Sequence, residues 1–365
     1  MTQFNVGIIG AGNISGAYLK GSAIFPILNI KAIADLDLDR AKLQAESYGI
    51  EATTPEALLE DNSIDIVVNI TPPQVHARVI TQALQAGKHV YSEKPLATDF
   101  ASGQKLLELA NAKNLYLGCA PDTFLGGGLQ SCRKLIDDGL IGEVVAAQGF
   151  FVGSGPESWH PNPDFFYQQG AGPLLDIGPY LITTLVHLMG SVKSVAGLAQ
   201  VSFLERTVTA KENYGAKIPV EVPTHVTGLL RFAKQGSASI TASFDVPANE
   251  LPHIEIYGSE ATLSTPDPNH FAGPVRIRKK GADTWEDIPL SHDYTDNQRG
   301  LGVADMAHAI ASGRKGRASG ELALHVLEVM EKIIDASEQG KELELETSTE
   351  RPAMFPVGME KGILD

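Results

Sequence analysis

Lys94 closes a short apolar stretch, His89-Val90-Tyr91-Ser92, that passes through Glu93 and stops at Pro95. A lysine at the carboxyl end of a buried strand faces the crevice where open α/β sheets bind ligands. An ammonium there can hydrogen-bond a reacting oxygen and stabilise charge developing on it. Taken alone, Glu-Lys-Pro reads as a solvated turn with a proline breaker, which composition favours for an isolated tripeptide. Farther along, Asp176, Tyr180 and Thr183 are spaced by four and three, so a single helix presents them on one face. By themselves, Asp176 suits the first turn of a helix and Tyr180 an amphipathic core, and that weighs more until another signal joins them to Lys94. Joined, they form a proton-transfer set. Removing the proton of a secondary alcohol needs a base, and a phenol with an ordinary pKa near ~10 serves at neutral pH only beside a cation. Lys94 can supply that charge. Tyr180 would then accept the proton, with Lys94 as electrostatic partner and Asp176 orienting Lys94 or a substrate hydroxyl. Lys94 acting as the base itself is the rival reading.

The elements that must position these residues start at the first strand. Phe4 to Ile9 is apolar and runs at once into Gly10-Ala11-Gly12-Asn13-Ile14-Ser15-Gly16. Between a strand and a helix, this is a dinucleotide-binding turn. Gly10 permits the tight turn, Gly12 lets a pyrophosphate approach the backbone, and the amides from Asn13 and Ile14 onward present a positive helix end to it. The third glycine of the usual pattern is Ser15, a small residue that still allows close packing. A second strand, Ile30 to Ala34, ends at Asp35, about twenty residues on, where a carboxylate accepts hydrogen bonds from an adenosine ribose and repels a ribose phosphate. NAD is therefore expected rather than NADP. The competing role for Asp35 is to cap the helix near Leu38. Asp37 and Arg40 sit towards the adenine side. Thr71 and Pro72, after a strand over Ile64 to Ile70, His76 at the head of the next helix, and Glu93 beside Lys94 complete the expected cofactor surround.

Strand and helix alternate to Cys119, which implies a parallel sheet with right-handed crossovers. Beyond it the pattern changes to consecutive strands with glycine-rich turns, at Val144 to Phe151, Val192 to Ser202, Glu221 to Phe232, Gly236 to Asp245, His253 to Gly258 and Ala261 to Thr265. The fold class is α/β: an N-terminal Rossmann domain with a parallel sheet over 1–120, and over 121–365 an α+β domain with a large open, mostly antiparallel sheet. At 365 residues the chain suits two domains. A formal net charge of −15 argues against nucleic acid and anionic membrane surfaces as partners. No apolar run reaches the ~18 residues of a membrane span, and a first strand beginning so near Met1 leaves no room for a signal peptide. Cys119 and Cys132 form no CxxC, so no metal site is expected, and a cytoplasmic setting is the simplest.

In the order and approximate spacing of Gly10-Ala11-Gly12-Asn13-Ile14, Glu93-Lys94-Pro95 and Gly170 to Thr183, the chain resembles the Gfo/Idh/MocA family over nearly its whole length. The resemblance implies a nicotinamide-dependent oxidoreductase acting on a sugar, sugar derivative or cyclitol such as inositol. It also implies a homodimer or homotetramer paired through the second domain's sheet. The family's nicotinamide-side lysine falls on Lys94. Its second-domain motif, which has an aspartate, then a glycine two later, a histidine four later and an aspartate seven later, falls on Asp176, Gly178, Tyr180 and Thr183. Tyrosine therefore replaces the histidine and threonine the last aspartate, a departure that some relatives resembling glucose-fructose oxidoreductase and dimeric dihydrodiol dehydrogenase share.

A polyol pocket is expected around this centre. Trp159-His160-Pro161-Asn162-Pro163 with Phe165, Phe166 and Tyr167 is an aromatic loop suited to a sugar ring or to a packed corner. Trp159, His160 and Tyr167 are the substrate candidates there, His160 standing in for the missing histidine. Asp122, after the sixth strand, can bind a hydroxyl, and Asn297 and Arg299 can reach the site from a late loop. Two further readings keep the fold: a redox-neutral NAD-dependent glycoside hydrolase, and a non-catalytic NAD-sensing regulator, which has no need of a proton-transfer set.

Overall fold

The computed structural model describes residues 2–234 and 236–365. Its first half is six parallel strands: β1 (Phe4–Ile9), β2 (Leu28–Ala34), β3 (Glu51–Thr53), β4 (Ile66–Asn69), β5 (His89–Ser92) and β6 (Leu117–Cys119). They lie in the order β3-β2-β1-β4-β5-β6, linked by α1 (Ser15–Ser22), α2 (Leu38–Tyr48), α3 (Pro55–Glu60), α4 (His76–Gln85) and α5 (Phe100–Ala112). The chain winds one way from β1 and the other from β4, so the two strands' carboxyl ends flank a crevice at the switch point. Gly10 leaves β1 on one side of it, and Asn69 leads to Thr71 on the other. β1, β4 and β5 are apolar on both faces because helices cover both, and Val6, Ile66, Val67 and Val90 have no exposed surface.

The second half begins with α6 (Gly127–Asp137) and β7 (Val144–Val152), then α7 (Pro173–Met189), β8 (Val192–Gln200) and a small hairpin of β9 (Glu205–Thr207) and β10 (Lys217–Pro219). It continues with β11 (His225–Phe232), β12 (Ser237–Ser243), β13 (Ile254–Gly258), β14 (Ala261–Ser264), β15 (Val275–Lys279) and β16 (Glu286–Ile288). α8 (Leu301–Ser312), α9 (Gly320–Gln339) and β17 (Leu343–Glu344) complete it. Nine of these strands form one sheet, β16-β15-β14-β13-β7-β12-β11-β8-β17. Every pairing is antiparallel except β7 with β12, because β7 is inserted between strands that come much later in the chain. The sheet is large, open and mostly antiparallel, as expected, with one parallel pairing, and β15, β16 and the β9–β10 hairpin add strands that short alternating segments did not signal.

One face of this sheet packs on α7 and α9. Val226, Leu230, Ile240 and Ile256 point into it, each no more than 1% exposed. The other face presents Gln148, Thr227, Ser239 and Thr241, with Leu198 and Leu229 exposed at 75% and 56%. α8 and α9 return to the first sheet. Cys119 N donates to Ala318 O at 3.0 Å, and Phe100 N donates to Glu331 Oε2 at 2.7 Å. One apolar core consequently runs through both halves, and a satellite gathers Phe166, Tyr167, Val208, Ile218 and Phe244 beneath the β9–β10 hairpin. Among the described residues, no helix is long and apolar enough to cross a membrane.

Candidate active site

Three segments converge at the mouth of the crevice. Lys94 leaves the end of β5 on a short link that Pro95 terminates. Asp176 and Tyr180 stand one turn apart on α7, which begins at Gly172 with Pro173 in its first turn. Pro179 lies inside that helix. It has no amide to give Leu175 O, so the turn that carries Asp176 lacks one helical hydrogen bond. Lys94 Nζ donates to that carbonyl at 2.5 Å and to Asp176 Oδ1 at 2.8 Å, and stands 5.2 Å from the centre of the Tyr180 ring. The same-face spacing of Asp176 and Tyr180 thus becomes a lysine, carboxylate and phenol in contact.

Burial pulls the Lys94 ammonium down, but the Asp176 and Glu93 carboxylates oppose that and hold it above the usual lysine range. Lys94 is therefore a cation throughout the physiological range, with no free pair for proton abstraction. Burial raises the Tyr180 phenol, opposed by Lys94 and Arg299. It rests as a neutral phenol between two cations, able to donate its proton and to lose it at lower pH than burial alone would allow.

On the Rossmann side, Gly10 has a φ of +114°, and a Cβ there would fall 2.8 Å from Ile70 O. Gly12 faces open space, with nothing within 4 Å of the same position. That is the room a pyrophosphate needs above the turn. No side chain caps α1, and its Ser15 and Ala17 amides turn back onto Gly12 O and Ile14 O. Ser15, where the pattern has glycine, is fully buried and donates to Gly12 O at 2.7 Å, bracing the turn from inside. Asn13 is exposed and Ile14 half-buried at its outer rim. The open space over Gly12 suits the pyrophosphate of a nicotinamide dinucleotide.

Asp35 does not cap α2. Asp37 does, accepting from Asp39 N and Arg40 N at 3.2 Å. Asp35 instead accepts from Ala11 N at 2.7 Å and from Asp37 N at 2.9 Å, tying the glycine turn to the end of β2. Glu93 is held by Tyr18 Oη, which donates to Oε1 at 2.8 Å from inside α1. Thr71 is half-buried with its hydroxyl on Asn69 Oδ1 at 2.7 Å, and Pro72 is exposed beside it. His76 differs from expectation: it is fully buried, with Nδ1 2.7 Å from Pro95 O and Nε2 2.7 Å from Thr71 O. Burial lowers its pKa against the pull of those carbonyls. It is a strut joining the Thr71 and Pro95 turns behind the pocket.

The substrate side also departs from expectation. Phe165 and Phe166 line the small cleft beside Lys94 and Asp176, along with Pro73 and Gln74. Trp159 is 66% exposed and His160 half-buried; His160 stacks edge-on against Phe165 and Phe166 at 5.3 and 5.2 Å. Tyr167 is fully buried in the satellite core under the Arg206 guanidinium, so it contributes packing and meets no ligand. Asp122 is likewise sealed. Its Oδ2 accepts from Gly300 N and Gly302 N, both at 3.1 Å, and it faces Arg299 instead of a hydroxyl. Asn297 is exposed. Arg299 does reach the site, but its contact is Tyr180 Oη at 3.4 Å. Asn269, which accepts from Arg299 at 2.9 Å, carried no sequence signal, since an irregular loop has no periodicity to place it.

Comparison with known proteins agrees with this architecture. A family model described as "Oxidoreductase family, NAD-binding Rossmann fold" matches residues 4–120, and the GFO/IDH/MocA C-terminal domain matches 129–264. The dTDP-3,4-didehydro-2,6-dideoxy-alpha-D-glucose 3-reductase of Actinomadura kijaniata is 30% identical over 328 residues, covering 85% of this chain and 95% of that one. Levoglucosan dehydrogenase of Pseudarthrobacter phenanthrenivorans is 26% identical over 290 residues, 72% of this chain and 73% of its own. Among solved structures, levoglucosan dehydrogenase in complex with NADH and L-sorbose superposes with a TM-score of 0.79 at 22% identity, covering 94% of this chain and 99% of that one. At that identity the likeness is one of fold.

Proposed function

Because this chain belongs to the GFO/IDH/MocA family of oxidoreductases, we propose that it moves a hydride between nicotinamide and a secondary alcohol carbon of a sugar or sugar derivative. The observation that carries this reading is the contact of Lys94, Asp176 and Tyr180 at the mouth of the dinucleotide crevice. The nicotinamide dinucleotide, when bound over Gly10 and Gly12, supplies the hydride acceptor or donor. Tyr180 handles the proton: its phenol gives it to a sugar carbonyl in reduction, and its phenolate takes it from a hydroxyl in oxidation. Lys94 stabilises the oxygen at which charge develops, and Asp176 holds Lys94 in place. The permanent charge on Lys94 favours Tyr180 over Lys94 as the proton-transfer group. A resting phenol is ready to donate, and the reductase among its relatives supports the reductive direction for a keto sugar.

A purified-protein screen tests this: NADH and NADPH oxidation with keto sugars and sugar nucleotides, and NAD and NADP reduction with aldoses, anhydrosugars, inositols and glycosides. Turnover with one class identifies the substrate. Cleavage of glycosides with no net change in NADH would replace the proposal by redox-neutral hydrolysis, and bound NAD with silence throughout would replace it by a sensor.

We propose NAD as the preferred cofactor, on the ground that the Asp35 carboxylate stands at the end of β2 and repels a ribose phosphate. Asp35→Asn keeps an acceptor for Ala11 N but removes the charge, and it should tighten NADP while NAD binding changes little. Asp35→Ala also frees the glycine turn and should weaken NAD by about tenfold, the scale of one charge-assisted hydrogen bond, while relaxing the preference against NADP. Equal affinities for NADP in all three proteins would reject the assignment.

The open face of the nine-stranded sheet, with its hydroxyl side chains and exposed Leu198 and Leu229, supports pairing of two copies there in the cytoplasm. Light scattering should give a dimer or tetramer for the native protein and a monomer for Leu198→Arg combined with Leu229→Arg. A native monomer would end that proposal.

A further inference from the structure

We propose that Arg299 is a positioning residue for Tyr180: a second buried cation that, with Lys94, sets the pH at which the phenol gives up its proton. The inference rests on the reading of Tyr180 as the proton-transfer group.

Arg299 is 7% exposed and comes from the turn before α8, far in sequence from α7. Its Nη2 donates to Asn269 Oδ1 at 2.9 Å and lies 3.4 Å from Tyr180 Oη, and its Cζ is 5.7 Å from the centre of the Tyr180 ring. Lys94 Nζ stands 5.2 Å from the same centre. Two cations therefore flank one phenol that is only 5% exposed.

The groups facing this pair explain why the second cation is tolerated. Tyr180 senses Lys94, Arg299, Glu93 and Asp176, and Arg299 senses Tyr180, Glu93, Asp122 and Tyr18. Asp122, with no exposed surface, stands with Oδ1 3.7 Å from Arg299 Nη1 and is the nearest counter-charge. That pair is loose: neither Asp122 Oδ1 nor Arg299 Nη1 has a hydrogen-bond partner. Oδ2 of the same carboxylate anchors the turn that carries Arg299, accepting from Gly300 N and Gly302 N. The turn thus holds the guanidinium beside the phenol, where Asp122 and Glu93 balance its charge without a direct hydrogen bond from Nη1.

α1 fixes the other side of the turn. A Cβ at Gly21 would fall 2.0 Å from Arg299 O, so the turn lies directly on the helix that follows the dinucleotide-binding glycines. Asn269 and the Arg299 turn thus join both halves of the molecule at Tyr180. A substrate contact, the role that sequence suggests for Arg299, would need the guanidinium at the surface of the cleft. It is buried instead, with its side chain against Tyr180, Asn269 and Asp122, and it acts through the tyrosine.

In reduction the phenol proton passes to the carbonyl oxygen as the hydride arrives at carbon, leaving a phenolate between Lys94 and Arg299 that is reprotonated from solvent. In oxidation the hydroxyl proton passes to that phenolate. Activity in oxidation should therefore rise with pH through the Tyr180 pKa, and activity in reduction should fall through it. Removing Arg299 raises that pKa and moves both limbs to higher pH.

The test is to titrate Tyr180 directly in the full-length protein labelled with a fluorinated tyrosine, the Tyr180 signal being the one absent in Tyr180→Phe. Arg299→Met should raise the apparent pKa by about one to three units, the effect of losing one close opposite charge, and shift the pH limb of turnover by the same amount. Arg299→Lys should restore most of both. Arg299→Met in an Asp122→Asn background, which leaves no unpaired buried carboxylate, guards against misfolding and should show the same rise. An unchanged Tyr180 titration in folded Arg299→Met, or Arg299→Lys behaving like Arg299→Met, overturns the assignment. Wild-type turnover in Tyr180→Phe overturns the underlying proton-transfer reading instead, so the two failures are distinct.

Discussion

Lys94→Ala should lower turnover by about 10²–10³-fold while changing NAD affinity only a few-fold, the loss expected when a single electrostatic donor to the reacting oxygen is removed. Three features concentrate the effect on turnover. Lys94 Nζ is bound to Asp176 Oδ1 and O and not to the glycine turn. It is held charged by Asp176 and Glu93. Gly10, Gly12 and Asp35, the proposed dinucleotide contacts, follow β1 and β2 and not β5. The substitution also leaves the Asp176 carboxylate without its cation and the Tyr180 phenol with Arg299 alone, so the pH limb of oxidation should move upward. Isothermal titration with NAD and steady-state kinetics on the substrate found by the screen separate the two quantities. Equal losses in binding and turnover would mean that Lys94 merely supports the cofactor pocket.

Tyr180→Phe should cost about 10²–10⁴-fold in turnover, the range for removing a general acid–base group, with little change in stability. Phenylalanine fills the same space, and the lost hydroxyl makes one long contact, with Arg299 at 3.4 Å. Arg299 keeps its bond to Asn269, so no new buried donor is wholly stranded. The pH limb assigned to the phenol should vanish in the residual activity. If the limb persists unchanged in Tyr180→Phe, the titrating group lies elsewhere and the proton path must be redrawn.

How far these assignments were legible in the sequence differs by residue. Gly10 and Gly12 were readable because a tight turn and a close phosphate approach demand glycine at fixed offsets from a strand end. Lys94 was readable because Pro95 marks where β5 stops. Asp176 and Tyr180 followed from helical spacing, although only the family resemblance lifted them above an ordinary helix acid and a core tyrosine. Asp35 sat where expected, but its hydrogen bond to Ala11 N and the capping role of Asp37 depend on how the turn closes. His76 and Asp122 were misread for a common reason: each stands at a strand's carboxyl end, where ligands bind, but each is consumed by backbone partners behind the crevice.

In the second half, alternation located most strands of the sheet but not their neighbours. The parallel pairing of β7 with β12 joins Ala146 to Ser237, and no local pattern encodes a partner so distant. The aromatic loop shows the same limit: composition marked it as special, but only packing decided that Phe165 faces the cleft, Phe166 lies between the cleft and the satellite core, and Tyr167 turns wholly into that core.

By itself, then, the sequence determined the features whose physics is local: the glycine turn, the strand stop at Pro95, the shared face of Asp176 and Tyr180, and the change from alternating helices to consecutive strands. Only the tertiary structure decided what surrounds the phenol. Lys94 and Arg299 reach it from separate segments, Asn269 and Asp122 hold Arg299 from two more, and the charge the two cations lend depends on distance and burial, which no spacing along the chain specifies.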